Sequence, residues 1–206
     1  MIGVFGGTFD PVHNGHLRSA AELLDVFDLN EIRLIPCGQP PHRATPMTSG
    51  LHRARMLELA VNNRSRWVVD RREIERPGYS FMVDTLKSLK KDFPHETLLL
   101  AIGADAFCHF TRWHEWQRIF VYAHVLVMTR PGYTFPELEP FLLSKKTEAL
   151  SSLKQQQAGS LLFYTVTPLD ISASQIRDLI CAGQRADFLL PDAVLDYIHF
   201  HRLYGS

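Results

Sequence analysis

Two histidines follow a glycine-rich turn near the start of the chain, a combination suited to phosphate chemistry. The stretch reads Gly6-Gly7-Thr8-Phe9-Asp10-Pro11-Val12-His13-Asn14-Gly15-His16. Glycines let the backbone come close to a ligand, and the start of a helix offers free N–H groups and a positive dipole end. His13 and His16 are three residues apart, so on a helix they share one face. Their rings can therefore add hydrogen-bond donors or positive charge to a phosphate held at the turn.

Two other interpretations of this histidine pair are a plain helix start and a metal site. In the first, Asn14 caps the helix and both histidines are exposed. In the second, the histidines bind zinc, but the turn after His16 contains no Cys, Asp or Glu as a third ligand. Asp10 is close in sequence, yet the turn can point it away. The sequence therefore predicts phosphate binding and no metal held by the protein.

A second polar cluster lies in the stretch Asp170-Ile171-Ser172-Ala173-Ser174-Gln175-Ile176-Arg177. Ser172 or Ser174 can cap the helix that follows, and capping alone explains either serine. In the functional interpretation, the hydroxyls, the free N–H groups and Arg177 form a second anion site. Arg177 lies three residues beyond Ser174 on the same helix face, and its guanidinium can fork onto phosphate oxygens. Two such sites at strand-to-helix turns suit a ligand that carries several phosphates.

Two further groups offer weaker signals. Asp105 follows Gly103 at the end of an apolar strand, where it either caps the next helix or accepts hydrogen bonds from a ribose. Trp113 and His114 lie among several aromatic residues, for which core packing is the default interpretation. A flat heteroaromatic ring can also stack on one of these side chains.

The loop at residues 37–48 is long and rich in proline and glycine, which is typical of a functional or mobile loop. It contains Pro40-Pro41-His42-Arg43. His42 and Arg43 are either solvated polar residues or groups that swing onto a phosphate as the loop closes.

Strand and helix patterns alternate along the chain, which predicts an α/β fold with a doubly wound parallel sheet. The predicted strands are residues 2–5, 31–35, 67–70, 97–102, 124–128 and 161–166. Four of the predicted helices are residues 17–27, 104–120, 174–181 and 192–201. Another is capped by Ser49 and has Leu51, Met56, Leu59 and Ala60 at helical spacing. A further predicted helix is capped by Ser80 and runs through residue 89.

A length of 206 residues fits a single domain. We expect one domain over residues 1–206, with a peripheral excursion at about residues 135–160 and a C-terminal helical subdomain at residues 172–206.

The 22 basic residues equal the 22 acidic residues in number, so no net electrostatic field favours binding to nucleic acid or to an anionic membrane. The three widely spaced cysteines suggest a reducing compartment, and the N-terminus shows no targeting signal. These features predict a cytoplasmic protein.

The two polar stretches together resemble the signatures of the nucleotidylyltransferase superfamily. The run that ends in His13-Asn14-Gly15-His16 is similar to its His-x-Gly-His core, and residues 171–177 resemble its Ile-Ser-x-Thr-x-Ile-Arg motif. Within the superfamily, the chain most resembles the bacterial nicotinate mononucleotide adenylyltransferases. The resemblance extends over nearly the whole chain, is weakest at residues 135–160, and implies a Rossmann-like fold.

This resemblance implies adenylyl transfer from ATP to nicotinate mononucleotide, without a covalent enzyme intermediate. It implies that His13, His16 and Arg177 are the catalytic residues, with His16 on the α-phosphate. The remaining implied contacts are Gly6, Gly7, Thr8 and Phe9 along the cradle, Ile171, Ser172 and Ser174 with Arg177 at the outer phosphates, His42 and Arg43 in the loop, and Gly103 and Asp105 at the adenosine. Mg²⁺ is expected on ATP, held largely by phosphate oxygens and water.

The chain departs from the family pattern at the nicotinate end, where Met82 replaces a threonine. The resemblance implies that the backbone N–H groups of Met82 and His114 hold the pyridine carboxylate and that Trp113 stacks on the ring. Backbone donors survive a change of side chain, so we expect the preference for the acid to persist.

The alternative functions are an adenylyltransferase for nicotinamide mononucleotide, phosphopantetheine or FMN, a non-catalytic nucleotide sensor, and a metal-dependent hydrolase. Assembly into a homo-oligomer is left open.

Overall fold

Six parallel strands form one sheet in the order β3-β2-β1-β4-β5-β6 in the computed structural model of the chain. The structure describes residues 1–40, 45–134 and 137–205. The strands are β1 Ile2–Gly7, β2 Glu31–Pro36, β3 Trp67–Val69, β4 Leu98–Gly103, β5 His124–Thr129 and β6 Leu161–Thr165. The predicted doubly wound parallel sheet is therefore confirmed, and each predicted strand is present to within two residues at either end.

Helices connect the strands and flank the sheet. They are α1 Asn14–Val26, α2 Gly50–Ala60, α3 Arg72–Glu75, α4 Met82–Asp92, α5 Ala104–Phe107, α6 Trp116–Tyr122, α7 Pro140–Lys145, α8 Ser152–Gln155, α9 Ala173–Cys181 and α10 Asp192–Phe200. Two 3-10 turns lie at Phe110–Arg112 and Leu203–Gly205. No helix in the described part of the chain is both long enough and apolar enough to span a membrane.

The strand order reverses between β1 and β4, which pair directly at the centre of the sheet. In this pairing Phe5 lies opposite Ala101, so the two strands end at the same edge of the sheet. Ligands in open parallel sheets bind at such a reversal, beyond the carboxyl ends of the strands. The glycine turn after β1 and the Gly103 end of β4 therefore lie side by side, which places two predicted site segments together.

The core consists of two apolar clusters, one on each face of the sheet. One cluster includes Leu23 and Leu24 of α1, Met56 of α2 and Ile176 of α9. The other includes Leu86 of α4, Ile119 of α6 and Val127 of β5. Burial of both sheet faces explains why the strands are almost continuously apolar, as expected for parallel strands covered on both sides.

The second and third predicted helices differ in detail from the prediction. The sequence predicts Leu51 on the apolar face of α2, but this residue is 67% exposed. Arg53 occupies the buried face instead, since Met56, Leu57 and Ala60 follow it at spacings of three, four and seven residues. Ser80 does not cap α4, because the N-cap position is Phe81.

The predicted helix at residues 104–120 is broken into three pieces. The short helix α5, the 3-10 turn at Phe110–Arg112 and α6 replace it, and Glu115 has a φ of 47° just before α6. A residue in this left-handed region cannot continue a right-handed helix. The break matters for function because it leaves Trp113 and His114 in the connection between helices.

The segment between β5 and β6 carries α7 and α8. Leu142 and Leu153 in this segment are 3% and 1% exposed, so they contribute to the core. The boundaries of the predicted excursion and of the C-terminal subdomain stay predictions.

Candidate active site

The glycine turn leads directly from β1 into α1. Gly6 and Gly7 close the strand, and His13 is the N-cap residue of the helix, with extended φ and ψ of −144° and 169°. His16 lies in the first helical turn. The alternative in which Asn14 caps the helix is wrong, because Asn14 is already helical and its side-chain amide donates to the carbonyl of Phe188 at 2.7 Å.

The imidazoles of His13 and His16 are stacked on one another. Their ring centroids are 3.7 Å apart with an angle of 32° between the ring planes. Nδ1 of His16 accepts a hydrogen bond from the backbone N–H of His13 at 3.3 Å. This bond requires an unprotonated Nδ1, so in neutral His16 the proton is on Nε2, which can donate it to a ligand.

The same reasoning gives the tautomer of His13. Its ring is 6% exposed, and its buried Nδ1 has no hydrogen-bond partner among the described residues. A buried N–H without an acceptor is rarer in proteins than an unused lone pair, which favours a lone pair at Nδ1 and the proton at Nε2. Both rings then present Nε2 donors.

The two rings are uncharged at neutral pH in the free protein. Burial lowers the pKa of His13 from 6.5 to about 4. Burial also lowers the pKa of His16 well below 6.5, and the neighbouring His13 adds to the effect. The cradle therefore offers hydrogen-bond donors that carry no net charge.

Arg53 lies beneath the turn and is 1% exposed. Its guanidinium donates to backbone carbonyls on both sides of the site: to Thr8 at 2.7 Å, to Cys37 at 2.6 Å and to Thr48 at 3.3 Å. Burial lowers the pKa of Arg53, and the carboxyl of Asp10 counteracts that shift. One buried cation thus joins the glycine turn to both ends of the loop at residues 37–48.

The second predicted anion site packs against the first. Ser172 caps α9 by accepting from the N–H of Gln175 at 3.1 Å, as predicted for one of the two serines. The carbonyl of Ile171 lies 3.6 Å from the position that a Cβ on Gly15 would occupy. The starts of α1 and α9 are therefore adjacent, and two helix N-termini converge.

Arg177 connects these two helix starts. Its Nη1 donates to the backbone carbonyl of Asp10 at 2.7 Å, and its Nη2 donates to Oγ of Ser174 at 3.3 Å. Arg177 as a whole is half-buried.

A cavity of about 470 Å³ opens beside the glycine turn. Its lining includes the predicted site residues Gly6, Gly7, Thr8, Met82, Gly103, Trp113 and His114. The side chain of Met82 reaches the turn, since a Cβ on Gly6 would lie 2.7 Å from its terminal methyl. The ring of His114 packs on Phe81 at 4.4 Å between centroids. This volume is large enough for one mononucleotide-sized ligand.

One wall of the cavity is held by a cross-link between two loops. Oγ of Ser80 accepts from the N–H groups of Gly38 at 3.0 Å and Gln39 at 3.3 Å. Glu73 packs behind them so closely that a Cβ on Gly38 would lie 2.2 Å from its carbonyl oxygen. The side chain of Ser80, which the sequence suggested as a helix cap, fixes this loop instead.

Several predicted residues lie away from the cavity. Phe9 is 2% exposed, and its ring packs edge-on against His16 at 5.0 Å, so it supports the histidine from below. Asp105 is exposed and lies near Gly103. His42 and Arg43 lie outside the described residues.

Comparison with known proteins identifies relatives over the whole length of the chain. Residues 4–179 match the sequence model of the cytidylyltransferase-like family. The chain is 43% identical to the probable nicotinate-nucleotide adenylyltransferase of Methylococcus capsulatus, with all of both chains covered. It is 44% identical to the protein of the same description from Pseudomonas aeruginosa, with 100% of this chain and 97% of the relative covered.

Solved structures show the same fold. The Plasmodium falciparum nicotinic acid mononucleotide adenylyltransferase complexed with NaAD superposes with a TM-score of 0.74. It is 19% identical, and the match covers 98% of this chain and 96% of the other. A structure of the same enzyme complexed with APC superposes with a TM-score of 0.72 and the same coverage.

Replacement of the buried guanidinium should destabilise the whole site. We expect Arg53→Met to lower the free energy of unfolding by about 3–5 kcal/mol, because three carbonyls lose their donor and Asp10 loses its nearby charge. Arg55→Met is the matched control two residues along α2, where the side chain is 52% exposed and pairs with Glu58. Its expected cost is at most about 0.5 kcal/mol. Equal unfolding midpoints in urea for the two variants would contradict the role of Arg53.

The neutral state of His13 should make stability depend on pH. Between pH 6.5 and pH 4 the unfolded chain binds a proton at this residue that the folded protein does not, so the free energy of unfolding falls as the pH drops. The proton uptake of this residue alone should lower the free energy of unfolding by about 2 kcal/mol between pH 7 and pH 5. We expect His13→Gln to remove that part of the pH dependence in urea titrations and His95→Gln, at an exposed residue, to retain it. If the free energy of unfolding changed with pH at the same slope in His13→Gln and in the unmodified protein, His13 would be charged in the folded state.

Proposed function

This chain belongs to the cytidylyltransferase-like family and, within it, to the nicotinate-nucleotide adenylyltransferases, and from that premise we propose how its residues carry out the reaction. The enzyme transfers the adenylyl group of ATP to nicotinate mononucleotide in NAD biosynthesis. An oxygen of the acceptor's 5′-phosphate attacks the α-phosphorus in line. The bond from the α-phosphorus to the bridging oxygen breaks, and pyrophosphate leaves with the electron pair.

The stacked histidine pair at the glycine turn is the observation that carries this assignment. The attacking phosphate is already ionised at neutral pH, so the site needs no general base. It must bring two anions together and stabilise the charge that develops on the α-phosphoryl oxygens. Nε2–H of His16 donates to these oxygens, and His13 assists from the adjacent ring. Both rings are neutral in the free protein, so in this proposal the pair acts through its Nε2–H donors, and Nδ1 of His16 keeps its hydrogen bond from the backbone of His13.

The start of α9 holds the outer phosphates of ATP in this proposal. Arg177 supplies a guanidinium, and Ser172 and Ser174 supply hydroxyls beside the free N–H groups of the helix start. The glycine turn supplies backbone N–H groups to the transferred phosphate. The contact between the starts of α1 and α9 supports this arrangement, because it brings the segment proposed for the α-phosphate next to the segment proposed for the outer phosphates.

The acceptor occupies the cavity next to the turn. Trp113 offers a flat face for the pyridine ring, and the start of α4 offers N–H groups to its carboxylate. The carbonyl of the N-cap residue Phe81 accepts from Asp84 and Thr85, so the N–H groups of Met82 and Val83 precede the first intrahelical bond. A negative carboxylate at this positive helix end is favoured over a neutral carboxamide. The charged side chain of Arg112 also lines the cavity.

ATP is used as its magnesium complex in this proposal. Across the described ranges, no three His, Cys, Asp or Glu side chains come together as a cation site. In this proposal phosphate oxygens and water hold the ion. The roles of Gly103 and Asp105 at the adenosine, the roles of the loop residues His42 and Arg43, and a cytoplasmic location stay predictions. The oligomeric state is left open.

Removal of the His16 imidazole should slow chemistry more than it weakens binding. We expect His16→Ala to lower kcat on the order of a hundredfold while the affinity for ATP stays within about tenfold, because its donor acts mainly on the charge that develops during transfer. Pyrophosphate release and equilibrium binding measure the two quantities. The same substitution at the exposed His95 should change neither. An unchanged kcat for His16→Ala would refute the assigned role.

The enzyme should prefer the acid over the amide despite the loss of the family's threonine at Met82. We expect kcat/KM for nicotinate mononucleotide to exceed that for nicotinamide mononucleotide by about tenfold or more, because the helix dipole and Arg112 both favour a carboxylate. A pyrophosphate-release assay over a panel of mononucleotide acceptors, with phosphopantetheine and FMN included, measures this ratio. Equal values for acid and amide would remove the substrate assignment and leave the adenylyltransferase assignment in place.

A further inference from the structure

The carboxylate of Asp10 is buried inside the protein, with the residue 4% exposed. It accepts three hydrogen bonds. Oδ1 accepts from the hydroxyls of Thr48 at 2.7 Å and Tyr204 at 2.6 Å, and Oδ2 accepts from the N–H of Met47 at 2.7 Å. A buried carboxylate is stable only when its oxygens are well paired, and these donors supply that pairing.

The three donors come from segments that are far apart in sequence. Met47 and Thr48 lead into α2, whereas Tyr204 lies in the 3-10 turn after α10, 194 residues from Asp10. Burial and the bond to Asp10 raise the pKa of Tyr204 above its ordinary range, so its hydroxyl remains a donor. Tyr204 also has a φ of 61°, a left-handed conformation that costs energy in a residue with a side chain.

The backbone of Asp10 makes a separate contact. Its carbonyl accepts from Nη1 of Arg177 at 2.7 Å, the bond that holds this guanidinium against the glycine turn. Three hydrogen bonds to the side chain fix the orientation of residue 10, and with it the direction of its carbonyl. The anchored turn of Tyr204 packs with Ile176 and Ile180 of α9 in one apolar cluster, which steadies the helix that carries Arg177.

We propose that Asp10 and Tyr204 are positioning residues that hold Arg177 in place for the triphosphate of ATP. The proposal rests on the proposed function, in which Arg177 binds the outer phosphates. Asp10 does not touch the substrate in this scheme. It acts through its own carbonyl, and Tyr204 acts through the carboxylate of Asp10. A small shift of that carbonyl lengthens the bond to Arg177 and misplaces the guanidinium.

The test removes the tyrosine hydroxyl and measures both substrates separately. We expect Tyr204→Phe to raise KM for ATP about threefold to tenfold, while KM for nicotinate mononucleotide stays within about twofold. Isothermal titration with a non-hydrolysable ATP analogue should show the same loss of affinity without turnover. A purely structural role would lower the melting temperature and leave both KM values of the folded enzyme unchanged, and that result would overturn the proposal.

Matched variants distinguish a specific rise in KM for ATP from a general loss of folding. Thr48→Val removes the second hydroxyl on Oδ1 and should also raise KM for ATP, whereas Thr48→Ser keeps a hydroxyl and should restore it. Thr48→Val also keeps the proposal testable if Tyr204→Phe does not fold. The control Tyr164→Phe removes another tyrosine hydroxyl that donates to a carboxylate, Glu22, at 3.3 Å, and should leave KM for ATP unchanged.

A double-mutant cycle identifies Arg177 as the intermediary. If Tyr204 acts through Arg177, Tyr204→Phe should change the affinity for the ATP analogue less than about 1.5-fold in an Arg177→Met background. The same loss in both backgrounds would overturn the proposal. If the enzyme does not adenylate nicotinate mononucleotide but Tyr204→Phe still weakens the analogue, the proposed function fails and the positioning role stands.

Discussion

Two buried charges under the glycine turn hold the site together. Arg53 gives its hydrogen bonds to backbone carbonyls of the turn and of the neighbouring loop, and Asp10 takes its hydrogen bonds from that loop and from the C-terminal turn. Each charge stabilises the other, because an uncompensated buried ion costs several kcal/mol. Together they fix backbone segments whose N–H groups are proposed to bind phosphates. The cradle is therefore held from below by buried groups.

The strand order of the sheet brings together parts of the site that are far apart in the sequence. The reversal of strand order between β1 and β4 puts the glycine turn beside the end of β4, and the same edge receives α4 and α9. Arg177 and the histidine pair are distant in sequence, yet the contact between Gly15 and Ile171 brings their helix starts together. The two proposed anion sites and the cavity therefore lie next to one another, as a transfer between two phosphates requires.

Much of this arrangement could be predicted from the sequence, because the signals were local. The alternation of strand and helix patterns predicts the sheet. Short motifs predict a helix start near His13 and His16 and a helix cap at Ser172 or Ser174, of which Ser172 is the cap in the structure. Arg53 was overlooked although its spacing to Met56, Leu57 and Ala60 placed it on the buried face of α2. Leu51 was assigned to that face because it is apolar, but it is exposed.

Long-range contacts explain the remaining errors. The hydroxyl of Ser80 suggested a helix cap, yet it serves backbone groups of Gly38 and Gln39 about 40 residues away. No periodicity connects Tyr204 with Asp10, because their bond depends on how the C-terminal helices pack on the finished sheet. A side chain that bonds to distant backbone leaves no regular pattern in a single sequence.

The uncharged state of the histidine pair has a consequence for competition in a cell rich in small anions. A permanently cationic pocket would retain chloride or free orthophosphate, which would have to be displaced before each turnover. Neutral imidazoles hold such ions less tightly, because they offer hydrogen bonds without a net charge. A ligand that makes several contacts depends less on that missing charge than a lone ion does. We therefore expect small anions to compete weakly for the uncharged pair.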